Sequence, residues 1–264
     1  VQGFDVSTTS NRTVKVRKFG LDSGAASVVV NHGVKPVLNL LGAQTSVSVD
    51  TYAGVVEGIA DEDLEDNTGL EAEVQMEAME NLGQVENAAA ITLLKGVAAS
   101  YSNSNFGTPA YADAKTALAA IIDQVRQALG NRLSEISLAM NSSQWALLKD
   151  LRNENGTPID IQSVIGDINQ IVDNSLVGDE FICFAKKFAK IKVYKGKTAD
   201  WYKGIKVTTS EGAVTAVYSE WRTDESSLRV RQRQVMYVSD ATTVVKGSIA
   251  GVVAALQPEP VVEG

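Results

Sequence analysis

The chain has 264 residues, 44% of them hydrophobic and 21% charged, values of an ordinary globular protein that exclude wholesale disorder and a fibrous repeat. Its formal net charge of −8 argues against a general nucleic-acid binder, because phosphate affinity rests on an excess of Lys and Arg. No apolar run approaches membrane-spanning length, and one histidine, His32, with one cysteine, Cys183, cannot build an ordinary zinc site.

Residues 1–23 are polar and short of large apolar side chains, as expected of an extended arm that becomes ordered against a partner. The arm carries Arg12, Lys15, Arg17 and Lys18. Its start at Val1 fits either a trimmed chain or the natural removal of a leading segment. From Ala25 to Ala60, Val, Thr and Ser predominate. Val47 and Val49 alternate with Ser46 and Ser48, which predicts a long two-stranded excursion. At Asp61 the composition changes. Leu70, Val74, Ala78, Leu82, Val85, Ala89 and Leu93 recur in steps of three and four, one stripe of a long amphipathic helix over 61–95. Asp61, Glu62, Asp63, Glu65 and Asp66 crowd its first turns, where the positive end of the helix dipole favours them. Gly83 in mid-pattern permits a kink.

The loop SYSNSNFGTPAY leads into a second helix, with Thr108 as the expected cap and Pro109 in the first turn. Leu118, Ile121, Ile122, Val125 and Leu129 form its inward stripe, and Gly130 ends it. Alternation of Ile136, Leu138 and Met140 predicts a strand with one buried face. Asn141 or Ser142 then caps a short helix with Trp145, Leu148 and Leu151 inward, and Asn155-Gly156 turns the chain. Further on, EFICFA, KIKVY, GIKVTT and AVTAVYSEW are strand-like, so the final third is mainly β, with Cys183 a buried, inert thiol. In SLRVRQRQVMYV, Arg229, Arg231 and Arg233 project from one face at two-residue spacing. A solvated sheet face and a charged subunit contact are equal readings of them. With neither a repeat nor an alternating βαβ series, the element order is that of an α+β chain.

Charge is segregated along the sequence. No Lys or Arg occurs between Lys35 and Lys95, while Asp50, Glu57 and every carboxylate from Asp61 to Glu86 fall in that interval. Basic residues collect at Arg12 to Lys18, Lys186 to Lys206 and Arg229 to Arg233. Each run alone reads as a solvated face; their segregation raises a second reading, in which acidic segments of one subunit meet basic segments of another. There is no P-loop, dinucleotide fingerprint, GxSxG elbow or HExxH motif, and no cofactor is implied. An enzyme with a non-local site is the alternative from another class.

The segment SLAMNSSQWALLKDLRNENGTPI, residues 137–159, together with QVENAAAITLLKG upstream and TAVYSEWRTDESSLRVRQRQVMYV downstream, resembles the major capsid proteins of tailed bacteriophages, the Hong Kong phage-type fold. The resemblance implies an N-terminal arm at 1–23 and an extended β-hairpin loop at 24–60. It implies a peripheral domain, holding the spine helix and long strands, at 61–107 and 210–240. An axial domain would occupy 108–209 and 241–264. It further implies a non-enzymatic virion protein, assembled in the host bacterial cytoplasm. Its partners would be copies of itself in hexamers and pentamers, portal and cement or decoration proteins, and packaged double-stranded DNA contacted non-specifically. No membrane is involved. An encapsulin-like cellular compartment is the alternative within the same fold. The interface candidates are Arg12, Lys15, Arg17, Lys18, Lys35, Asp61, Glu62, Asp63, Glu65, Asp66, Arg229, Arg231 and Arg233. Some members of the family crosslink a loop Lys to a peripheral-domain Asn. Here Lys35 is the only Lys of 24–60 and no Asn follows Asn174, so no such crosslink is expected.

Overall fold

In this computed structural model the described residues are 3–23, 39–102, 106, 107, 109, 113–130, 132–152, 157–166, 168–210 and 213–256. The chain begins with β1 (Asp5–Thr8), β2 (Thr13–Ser23), β3 (Asn39–Ser48) and β4 (Asp50–Ala60), followed by α1 (Asp61–Asp66) and the 28-residue α2 (Leu70–Val97). After β5 (Ala99–Ser100) come α3 (Ala114–Leu129), β6 (Ile136–Met140), α4 (Ser142–Lys149), α5 (Gln162–Ile165), β7 (Asn169–Val172) and β8 (Glu180–Ala185). The remainder is β9 (Ala189–Tyr202), β10 (Ile205–Ser210), β11 (Ala213–Ser219), α6 (Glu220–Thr223), β12 (Glu225–Val238), β13 (Val244–Ser248) and α7 (Ile249–Leu256). This is the expected α+β chain.

The strands form a four-stranded sheet in the order β1-β9-β12-β4, a five-stranded sheet in the order β5-β13-β8-β6-β7, and two separate hairpins, β2-β3 and β10-β11. Around the five-stranded sheet the local signals act as expected. Leu118, Ile121, Ile122, Val125 and Leu129 of α3 are all buried, and Gly130, at a φ of 57° that favours glycine, ends the helix. The cap differs: Asp113 Oδ1 accepts from Thr116 N at 2.7 Å, Pro109 lies ahead of the helix, and Thr108 falls outside the described residues. Asn141 caps α4, its Oδ1 accepting from Gln144 N at 2.6 Å and its Nδ2 donating to Gly178 O at 2.7 Å. Trp145 and Leu148 are buried beneath it and Leu151 is half-buried; Asn155 and Gly156 lie outside the described residues. Cys183 is fully buried, which pushes its thiol up to about 12, the inert state expected of it.

β6 corrects the expectation of one buried face, since all five of its residues are buried. Leu138 and Met140 meet the α3 core, while Ala139 joins a second cluster with Ala90 and Leu94 of α2. The side facing α2 is made of small residues, which leaves no polar and apolar contrast strong enough to mark it as buried.

The N-terminal segment is also corrected. Phe4 is buried with its ring centroid 5.6 Å from that of Phe184, and β1 extends the four-stranded sheet in parallel along β9. Gly3 has a φ of +92°, and a Cβ there would lie 2.5 Å from Ile171 Cδ1, so the chain enters the core only as glycine. Residues from Thr13 onward form the first strand of the excursion, pairing from Thr13↔Ser48 to Ser23↔Asn39. The expected partner, β4, runs along β12 instead. Val14 and Val16 carry the strand period of β2, which interleaved cations had concealed.

The long helix is divided at Gly69, whose φ of 126° no side-chain-bearing residue readily adopts. Within α2, Ala78, Leu82, Glu86, Ala90, Ile91 and Leu94 are buried. Val85, expected inward, is 51% exposed. At 3.6 residues per turn it is residue 86 that returns beneath Leu82. The helix continues through Gly83, where an added Cβ would stand 3.3 Å from Lys197 Nζ; the glycine makes room for that lysine.

Candidate subunit interfaces

α2 packs on one face of the four-stranded sheet, where Ala78 and Leu82 meet Leu228 and Val230 of β12. Alternation therefore sends Arg229, Arg231, Arg233, Val235 and Tyr237 to the opposite, outer face. The register sets Arg229 beside Asp200, Arg231 beside Thr198, Arg233 beside Lys195, Val235 beside Lys192 and Tyr237 beside Lys190. One end of this face is covered: Val235 and Tyr237 are buried against Val14, with Val16, Val47 and Val49 of the β2-β3 root packed alongside.

The rest of the face is cationic. Arg229 and Arg231 share the single carboxylate of Asp200 at 3.3 and 3.4 Å, and Arg229 lies 5.7 Å from the Tyr202 ring centroid. Lys190, Lys192, Lys195 and Arg233 have no ion-pair partner among the described residues. The Nε atoms of Arg229 and Arg233 are buried without a hydrogen-bond partner. A hydrogen bond from Arg12 holds the Tyr194 phenol below its ordinary pKa, and the positive charges of Lys195 and Arg233 act in the same direction. Tyr194 thus brings Arg12 to the end of this face that carries Lys195 and Arg233. Lys15 is exposed on the side of β2 away from Val14. Arg17 and Lys18 continue β2, but their side chains, and all of Lys35, lie outside the described residues. Lys190 and Lys192 extend the basic face; their two-residue spacing in AKIKVY was the signal for them.

The acidic residues lie elsewhere. Glu62, Asp63, Glu65 and Asp66 are exposed on α1, and Glu71, Glu73, Glu77 and Glu80 are exposed along the first half of α2. Asp61 is different, for it accepts hydrogen bonds from Lys203 Nζ and Ser226 Oγ, and these hold its carboxyl below the usual range. It ties α1 to the start of β12 within the chain. Glu86, missed because a charge does not read as part of an apolar stripe, is only 2% exposed. Its Oε2 lies 3.4 Å from Lys197 Nζ, its Oε1 has no partner, and burial pushes the carboxyl above its ordinary pKa. Among the described residues, no group of three His, Cys, Asp or Glu stands in metal-binding geometry.

A sequence profile described as phage capsid protein matches residues 42–247. The chain belongs to the phage capsid protein family. No curated protein matches it by sequence. Solved structures similar to this capsid protein include one from Mycobacterium phage Cain, at 14% identity and a TM-score of 0.66, covering 90% of this chain and 83% of that one. The virus-like particle of Pyrococcus furiosus is similar at 12% identity and a TM-score of 0.61, covering 93% and 90%. A capsid of an empty GTA particle is similar at 13% identity and a TM-score of 0.57, covering 93% and 87%. At such identities the likeness is one of fold. The family and the fold together make this a shell-forming major capsid protein, whose work is self-association. Its outer cationic sheet face and its acidic helix surface are therefore candidate contacts between copies.

Proposed function

We propose that this capsid protein closes into an icosahedral shell of hexamers and pentamers around double-stranded DNA, after assembly in the host bacterial cytoplasm and without catalysing a reaction. The observation that carries this reading is the pair of hairpins, β2-β3 and β10-β11, which join no other strand among the described residues; of β2-β3, the root alone packs on the four-stranded sheet. A two-stranded hairpin is marginal in water without a third strand or a packed face. Neighbouring copies supply those surfaces in a shell. In this reading the four-stranded sheet with α2 is the peripheral domain. The five-stranded sheet with α3, α4 and α7 is the axial domain, and portal and decoration proteins are further partners.

Electron microscopy of the purified protein tests the proposal. Closed particles are expected, and a monodisperse monomer at high concentration overturns it. A cellular compartment shell is the second reading, motivated by the likeness to the Pyrococcus furiosus particle. The contents of natively isolated particles, phage DNA or a protein cargo, separate the two. Mature particles boiled in denaturant should give monomer-sized bands, because no Asn follows Asn174 to accept a bond from Lys35.

A further inference from the structure

We infer that the outer face of the four-stranded sheet, centred on Arg229, Arg231 and Arg233, docks the acidic surface of α1 and the first turns of α2 from a second copy. This rests on the shell-subunit reading and names the contact it uses. The face is short of anions: one carboxylate, Asp200, serves two arginines, and Lys190, Lys192, Lys195 and Arg233 have no ion-pair partner among the described residues. Such an excess of one sign is complementary to carboxylates from outside the chain.

The same chain carries those acceptors. Glu62, Asp63, Glu65, Asp66, Glu71 and Glu73 are exposed in a stretch with no Lys or Arg from Pro36 to Leu94. Geometry keeps the two surfaces apart within one subunit, since α2 packs on the inner face of the sheet and the arginines point from the outer face. They can meet only between copies. Two complementary patches on opposite sides of one subunit meet head-to-tail, and head-to-tail contacts close into rings where the rotation allows it. Carboxylates are favoured over phosphate as the occupant for two reasons. The net charge of −8 repels a polyanion over long range. The apolar end of the face, Val235 and Tyr237, is already roofed by the hairpin root, so the cationic part continues a packed protein surface.

Two charge-reversed proteins test the contact. One carries Glu62→Lys, Asp63→Lys, Glu65→Lys and Asp66→Lys; the other carries Lys192→Glu, Lys195→Glu and Arg233→Glu and keeps the pair of arginines on Asp200. In about 50 mM salt, where screening is weak, each alone should assemble at least about tenfold more slowly than the unaltered protein. Mixed in equal amounts they should recover assembly, because each presents the charge the other lacks. Alternation around a ring satisfies every contact only in even-numbered rings, so six-membered assemblies should recover before five-membered ones. Circular dichroism and melting confirm that both proteins fold. A neutral variant with Gln and Asn at the four α1 positions provides a second arm, and its assembly should lose salt dependence. Failure of the mixture to recover, or wild-type assembly rates in each variant alone, overturns the inference. Loss of DNA-fragment retardation in the basic-face variant with unchanged assembly also overturns it, in favour of phosphate. If the unaltered protein forms no particles, the shell reading itself falls.

Discussion

Around α3, the layer between helix and sheet is built from Leu118, Ile121, Ile122, Val125, Leu138 and Met140. Beneath α2, Leu82 and Val230 share the buried layer with Glu86, Gln232 and Gln234. In that second layer Glu86 Oε1, Gln232 Oε1 and Gln234 Nε2 have no hydrogen-bond partner. An apolar layer contributes stability in proportion to the area removed from water, while an unsatisfied buried polar atom subtracts from it. The α3 layer is therefore the stronger contributor to the stability of the single subunit. The layer around Leu82 and Glu86 contributes less, although Ala90, Ile91 and Leu94 further along α2 pack into an apolar cluster of their own, and this side of the molecule carries the basic face, the acidic face and the root of the β2-β3 hairpin.

The largest break in this contrast comes from the α3 layer. Leu118→Ala should lower the stability of the unassembled subunit by about 2–5 kcal/mol, read from denaturant melts, because Leu118 is fully buried. A loss of well under 1 kcal/mol would place the folding core elsewhere. A smaller effect is expected at the cap of α4. Asn141→Ala removes the acceptor for Gln144 N and the donor to Gly178 O, and should cost about 1 kcal/mol.

The third test separates the two layers by pH. The folded-state pKa of Glu86 is raised by burial, so between the ordinary carboxylate value and that raised value the folded protein binds more protons than the unfolded chain. Stability from this group is therefore gained as pH falls through its raised value and is lost as pH rises through it. Asp61 and Glu180 have depressed values, set mainly by hydrogen bonds from Lys203 and Lys95. Their contributions are present at neutral pH and fade as pH falls toward and below the usual carboxylate range. Glu86→Gln should thus remove an acid-side gain and leave the loss below it in place. A stability difference from wild type that stays constant from neutral pH down to the usual carboxylate range would show that Glu86 does not titrate inside the helix-sheet layer.

The sequence made the α3 half readable because its signals are local. A stripe at helical spacing, Gly130 at one end and Asn141 at the start of the next helix each depend on residues a few positions apart. Strand partners are set at long range, and alternation reports faces without naming neighbours. β2 consequently looked like an arm, although Val14 and Val16 held the period, and β4 was assigned to the wrong hairpin. On β12 the shared face of Arg229, Arg231 and Arg233 was legible from spacing. Asp200 beside them was not, because only the fold brings it there. Glu86 was hidden by its charge, yet Leu82, Glu86 and Ala90 keep an unbroken four-residue step.

The gap at Gly83 fixes how α2 can move. Lys197 occupies a notch that exists at one helical position, and its ammonium reaches Glu86 from there. Sliding α2 by one turn, about 5.4 Å, would bring Met79 or Asn87 over the notch, closing it with a side chain and carrying the carboxylate away from its counter-ion. The lysine thus favours the present register of α2 on the sheet, through its fit beside Gly83 and its ion pair with Glu86, so a change of shape between one position in a shell and another is easier by bending helix and sheet together than by sliding one along the other.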